Sequence, residues 1–157
     1  MSSATDQLID QFASKLSASG VPIRPEDNAS RLQALEANLP KGLPQSFTTL
    51  LSRYSFPPFD ACGITFFGWE AGSTEFSGIA PAAKGSLSEL LLPAGYVQFG
   101  RPVTGEFGAV CFEIGLDQNR EYRIVQADHE EILCNSRIKI RAELWPSFRK
   151  LVEHWIE

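Results

Sequence analysis

The feature that most constrains this chain is a change of hydrophobic period along it. Up to about residue 54, and again at the C-terminal end, apolar residues recur at steps of three and four. From about residue 96 to 127 they alternate with a period of two. A helical stripe and a pleated strand each need an apolar partner surface, so the chain must pack helices against a sheet. Leu8, Ile9, Phe12, Ala13 and Leu16 place a first helix over residues 5–19, capped by Thr5 or Asp6 and ended at Gly20. Val21-Pro22-Ile23-Arg24-Pro25 then reads as extended, because residues before proline avoid the helical region. Leu32, Leu35 and Leu39 mark a second helix over about residues 27–38, capped by Asp27 or Asn28. Pro44 opens a third, running to Tyr54 with Phe47, Leu50 and Leu51 on one side. Pro146 opens the last, with Phe148, Leu151, Val152 and Trp155 as its stripe.

Between the helical parts lie strand signals. Residues 55–60 read as a loop, and Cys62 to Trp69 reads as β-like. Residues 70–83 look irregular, and Ser86 to Leu92 reads as a short helix. Tyr96–Gly100, Ala109–Ile114 and Glu121–Ala127 read as three strands joined by the turns 102–106 and 115–119. Ile132-Leu133-Cys134 reads as a fourth strand. Arg137-Ile138-Lys139-Ile140-Arg141 reads either as an edge strand guarded by charge or as a linker. Short turns between consecutive strands imply an antiparallel meander. The expected fold is α+β: N-terminal helices, a central antiparallel or mixed sheet, and a C-terminal helix packed on it. Residues 1–157 are expected to form one domain, with 1–27 an added helix and connector.

Composition narrows the function classes. The 157 residues carry 14 Lys+Arg against 19 Asp+Glu, a formal charge of −5. Residues 1–78 hold 5 basic and 8 acidic side chains and the remainder 9 and 11, so neither half is basic. Nucleic-acid and anionic-membrane binding are therefore disfavoured. No apolar run approaches a membrane span, and the start shows no basic, then apolar leader. Cys62, Cys111 and Cys134 stand apart among apolar neighbours, with no Cys-x-x-Cys pair. They read as reduced core fillers in a cytoplasmic protein.

Chemistry-bearing patterns are few. Asp128-His129-Glu130-Glu131 groups a histidine with acids. His154, the other histidine, lies on the terminal helix, so the group reads first as a polar turn and second as a metal or acid–base site. No Gly-x-Ser-x-Gly elbow, phosphate-binding loop or Gly-x-Gly-x-x-Gly run occurs. Phe56, Phe59, Phe66, Phe67, Trp69 and Phe76 crowd a partly irregular stretch. Most read as core, with Phe59 and Trp69 as candidates for an exposed anchor.

The order of motifs resembles the SUKH superfamily, the cell-wall-assembly-regulator-like domains of fungi and their bacterial relatives. The residues that carry the resemblance are Leu35-Glu36-x-x-Leu39-Pro40, Leu43-Pro44-x-Ser46-Phe47-x-x-Leu50-Leu51-x-x-Tyr54 and Phe99-Gly100-x4-Gly105-Glu106-Phe107-x3-Cys111-Phe112-Glu113. Val125-x-x-Asp128-His129-Glu130 and Ser147-Phe148-x-x-Leu151 complete the set, which spans about residues 28–155. The chain departs from the pattern at Ser55-Phe56, where Asn-Gly is usual, and at Glu106, where Asp is usual. The resemblance implies a domain that binds a protein without catalysis, cofactor or metal. Bacterial members resemble immunity proteins that neutralise a cognate toxin; fungal members resemble regulatory scaffolds. A partner groove is expected around Trp69, Glu70, Asp128, His129 and Glu130, with carboxylates offered to basic groups and Trp69 giving apolar area. A general scaffold role and a hydrolase built on His129 and nearby acids stand as the alternatives.

Overall fold

A computed structural model of the chain describes residues 3–37, 43–70, 91, 94–104, 108–114, 122–135 and 137–156. The helices are α1 (Ala4–Ala18), α2 (Ala29–Glu36), α3 (Gln45–Arg53), α4 (His129–Asn135) and α5 (Phe148–Ile156). The strands are β1 (Arg24–Pro25), β2 (Tyr54–Ser55), β3 (Phe59–Ala61), β4 (Ile64–Phe66), β5 (Tyr96–Pro102), β6 (Gly108–Glu113), β7 (Ile124–Asp128) and β8 (Ile140–Trp145). Strands β3 to β8 form one antiparallel sheet in sequence order, and β1 and β2 form a separate ribbon. The protein is thus α+β, with α5 packed on the sheet. No described helix is long and apolar enough to cross a membrane.

The period-two alternation sorts the sheet's side chains onto two faces. Val97, Phe99, Val110, Phe112 and Ile124 join the main core with residues of α1, α2, α3 and α5. Ala109, Cys111, Val125 and Ala127 point the other way into a smaller cluster with Leu91. Phe47 of α3 sits at the centre of the main core. Its ring lies 4.9 Å from Phe112, 5.8 Å from Phe99 and 5.2 Å from Phe148 of α5. Phe99 and Phe112 stack at 4.1 Å across β5 and β6. Phe12 of α1 meets Phe148 and Phe59 edge-on, so the first helix belongs to the same core.

Several local expectations change. Ser3, not Thr5 or Asp6, caps α1, in a reciprocal pair with Asp6. The stretch 55–60 expected as a loop contains the end of β2, which pairs with β1, and the start of β3, which pairs with β4 through a two-residue turn. Cys62 (φ 54°) and Gly63 (φ 76°) both adopt the left-handed conformation such a turn needs. Ile132–Cys134 is not a fourth strand but part of α4. Asp128 Oδ1 accepts from the Glu130 and Glu131 N–H groups, and these acids favour the helix's positive end. The alternating segment 137–141 leads into β8, the sheet's edge. Phe59 is buried. The expected irregular stretch 70–83 lies outside the described residues apart from Glu70, as do the turn 115–119 and most of the short helix 86–92, of which Leu91 is described, helical and buried. Gly105, Glu106 and Pro40 also lie outside them.

Two glycines test separate constraints. A Cβ at Gly63 meets nothing within 4 Å, so Gly63→Ala costs only its left-handed backbone, about 1–2 kcal/mol. A Cβ at Gly100 would lie 2.6 Å from the Thr65 carbonyl oxygen and 2.8 Å from Ile64 Cγ2, prising β5 from β4 at about 1–3 kcal/mol. Asparagine tolerates the left-handed region, so Gly63→Asn should recover most of the loss in urea unfolding, while Gly100→Asn should not.

Candidate functional site

Among the described residues, a set of side-chain hydrogen bonds surrounds the β1–β2 ribbon. Pro22 and Pro25 hold residues 21–25 extended, and the Ile23 N–H turns back to the Val21 carbonyl. Tyr54 leaves α3 in an extended conformation and starts β2. Arg24 faces Ser55 and Pro25 faces Tyr54. The pairing continues where the Glu26 N–H donates to the Arg53 carbonyl and the Asn28 N–H to the Ser52 carbonyl. On the other side of β2, Phe56 and Trp69 exchange both backbone bonds at 2.8 Å.

Beneath this ribbon lies a network centred on a buried asparagine. Asn28 is 1% exposed. Its Nδ2 is 3.1 Å from the Leu51 carbonyl oxygen, 3.0 Å from that of Tyr54 and 3.2 Å from Ser55 Oγ. The Leu51 and Tyr54 carbonyls belong to the last turn and end of α3, which have no helical donor, so Asn28 caps that helix from across the chain. Arg31 Nε donates to Asn28 Oδ1, Nη2 to Ser55 Oγ, and Nη1 to the Glu70 carbonyl at 2.7 Å. Its guanidinium carbon sits 4.2 Å from the centre of the Trp69 ring, and Glu26 lies 4.0 Å away. Ser55 Oγ donates to Glu26 Oε2. The Trp69 indole N–H donates to the Leu51 carbonyl at 2.9 Å.

A second cluster borders the ribbon. Arg53 makes a two-pronged contact with Asp10 of α1, at 3.0 and 2.9 Å from Nη2, and Tyr54 Oη donates to Asp10 Oδ1 at 2.5 Å. Burial, and then the bond to Asp10 and its charge, push the Tyr54 phenol up to about 12. Two open depressions flank the ribbon. One, of about 590 Å³, is lined by Pro25, Glu26, Asp27, Ala29, Ser52, Arg53 and Tyr54. The other, of about 300 Å³, is lined by Pro22, Arg24, Ser55, Phe56, Pro57 and Glu70. Asp27 and Glu70 are exposed at their margins.

The residues expected to form one groove are not brought together. The register aligns Phe66 with Gly100, Val110 and Gln126 across four strands, and Ile64 with Pro102. Trp69 and Glu70 lie past the Phe66 end of that row. Asp128, paired with Gly108, lies at the other end with Glu130 beyond it. Trp69 is wholly buried, so its ring gives no area to a partner; it supports the ribbon instead. Asp128 spends its Oδ1 on the α4 cap, and Glu130 is exposed. His129 begins α4, and its side chain lies outside the described residues. The cysteines also divide. Cys111 is buried, with a thiol pushed far up by desolvation, and Cys62 is half-buried, with its thiol pushed up to about 11 for the same reason. Cys134 is exposed on α4 rather than a core filler.

Sequence reasoning missed Arg31, Asn28 and Glu26. Asp27 and Asn28 were legible only as helix caps. Asp27 does accept from the Ala29 N–H, whereas the Asn28 side chain makes no cap bond to α2. The partners of Asn28 are 23 to 27 residues away, and Arg31 reaches Glu70 across 39. No local pattern encodes such contacts. Compared with known proteins, the sequence matches no family model and no curated protein.

Two measurements probe this arrangement. Arg31→Lys keeps the charge but loses the planar fork and the stacking on Trp69, so it should cost about 1–3 kcal/mol in urea unfolding and shift Trp fluorescence. Tyr54 should ionise near pH 12 in a difference-absorbance titration at alkaline pH. Its pKa is raised on folding, so the stability it contributes is full below its usual value of 10 and is lost as pH rises from there through about 12. Asp10→Asn should bring that ionisation down.

Proposed function

We propose that this chain is a SUKH-like protein-binding domain that acts without catalysis, in the cytoplasm, as the immunity partner of a bacterial toxin domain. The observation that carries the reading is the ribbon: a rigid, hydrogen-bonded strip flanked on both sides by open depressions with Asp27 and Glu70 at their margins. Arg31, Arg53, Asn28 and Ser55 are engaged with each other, Asp10 and Trp69. They hold a preformed shape, which lowers the ordering cost of association. The motif order given above supplies the family reading, and the ribbon supplies the surface. Asp27 and Glu70 suit basic groups on the partner, and the prolines and Tyr54 provide the apolar part of the contact.

The test is affinity capture of the tagged chain from its host's lysate in moderate salt, followed by calorimetry with the partner identified. One stoichiometric partner ending in a toxin-like domain is expected. Asp27→Lys with Glu70→Lys should weaken that complex about tenfold or more, about 1.4 kcal/mol, while Glu130→Lys, at the opposite end of the sheet, should leave it unchanged. A reversed ranking would move the interface to the Asp128–Glu130 end. Several weak partners in place of one would favour the scaffold role.

A further inference from the structure

We propose that the outer edge of β8, with the segment leading into it, docks an extended acidic segment of a partner protein as an added strand. This surface is distinct from the ribbon, and the inference does not depend on the toxin reading. Among the described residues β8 is the last strand of the six-stranded sheet, paired with β7 on one side. The chain runs beside β7 from Lys139 onward, where the Asp128 N–H donates to the Lys139 carbonyl at 2.8 Å.

Residues 137–141 sort strictly by period. Ile138 and Ile140 are half-buried against the cluster on the sheet's second face, while Arg137, Lys139 and Arg141 are exposed. Arg137 and Lys139 stand at alternate positions of the segment before β8, and Arg141 lies at the first offset of the β7–β8 ladder, so the three cations cluster where the edge strand begins. Five residues therefore carry a charge of +3 on a chain whose formal charge is −5. Arg137 pairs with Glu131 at 3.0 Å and stays 70% exposed. Among the described residues neither Lys139 nor Arg141 has an ion-pair partner.

The same cations work in two directions. Two copies of this edge would set cation against cation, which disfavours self-pairing. The ladder to β7 is also offset at two places along β8, which discourages indiscriminate edge pairing. A strand with carboxylates at alternate positions turns that repulsion into attraction and gains backbone hydrogen bonds along the edge. The edge is thus closed to its own kind and open to an acidic strand.

Fluorescence anisotropy with the full chain tests this with three labelled probes: a peptide of about eight residues alternating Glu and Val, the same peptide interrupted by proline, and a uridine oligonucleotide. The alternating peptide should bind, more weakly as salt rises. Lys139→Glu with Arg141→Glu should reduce its affinity at least about tenfold, and the Gln pair by less, with unchanged circular dichroism. The proline peptide should bind at least about tenfold more weakly than the alternating one. No binding of the alternating peptide, or equal binding of the proline peptide, overturns the added strand. Tighter binding of the oligonucleotide overturns the choice of an acidic protein segment. The Asp27→Lys and Glu70→Lys changes should leave peptide binding intact, which separates this inference from the ribbon.

Discussion

The structure depends on one insertion: the Phe47 ring of α3 enters between the stacked Phe99 and Phe112 rings of the sheet and the Phe148 ring of α5. That contact fixes the height and rotation of α3 over β5 and β6. Everything polar on the ribbon follows from where α3 then ends. Its last carbonyls face inward, where water cannot reach them, and a buried carbonyl without a donor costs free energy comparable to a lost hydrogen bond. Asn28 and Trp69 supply the donors from two distant parts of the chain. The aromatic core and the candidate site are therefore coupled through one helix end.

An arginine with little exposure needs partners for its donors, and Arg31 has them. Asn28 and Ser55 accept from it, the Glu70 carbonyl closes a third contact, and the Trp69 ring covers its face. Pairing Arg31 with an aromatic face and neutral oxygens, with Glu26 only at 4.0 Å, avoids desolvating a tight ion pair. The result is stiffness in a surface that would otherwise be loop. The sheet's opposite face is built differently. There Arg123 bridges Glu113 at 2.9 Å and Glu143 at 3.6 Å, tying β6 to the edge strand. The bond from Arg123 holds the Glu113 carboxyl below its usual range.

Much of the fold was legible because most of its elements are locally consistent. The stripes of α1, α3 and α5 match most of the buried helical residues, and the alternation of β5, β6 and β7 matches the division of their side chains between the two apolar clusters. The misreadings share a cause. Ile132-Leu133-Cys134 is too short for its period to distinguish strand from helix, and the deciding term was the Asp128 cap on the preceding residue of a paired strand. The loop reading before Asp60 failed because β2 and β3 exist only through their pairing partners, which local sequence does not name. The site fared worse. Trp69 and Glu70 do border the ribbon, but Asp128 and Glu130 fall at the other end of the sheet.

The sequence by itself determined the fold class, the position of most helices and central strands, and which residues of the central strands share a face. Those properties follow from period, proline and capping chemistry, all of which act over a few residues. Only the tertiary structure decided that Trp69 is a support rather than a contact, that Asn28 and Arg31 organise the ribbon, and that residues 137–141 lead into an edge strand. Those outcomes rest on contacts between residues far apart in the chain. Their energies come from desolvation and register, and neither exists until the helices and strands have been brought together.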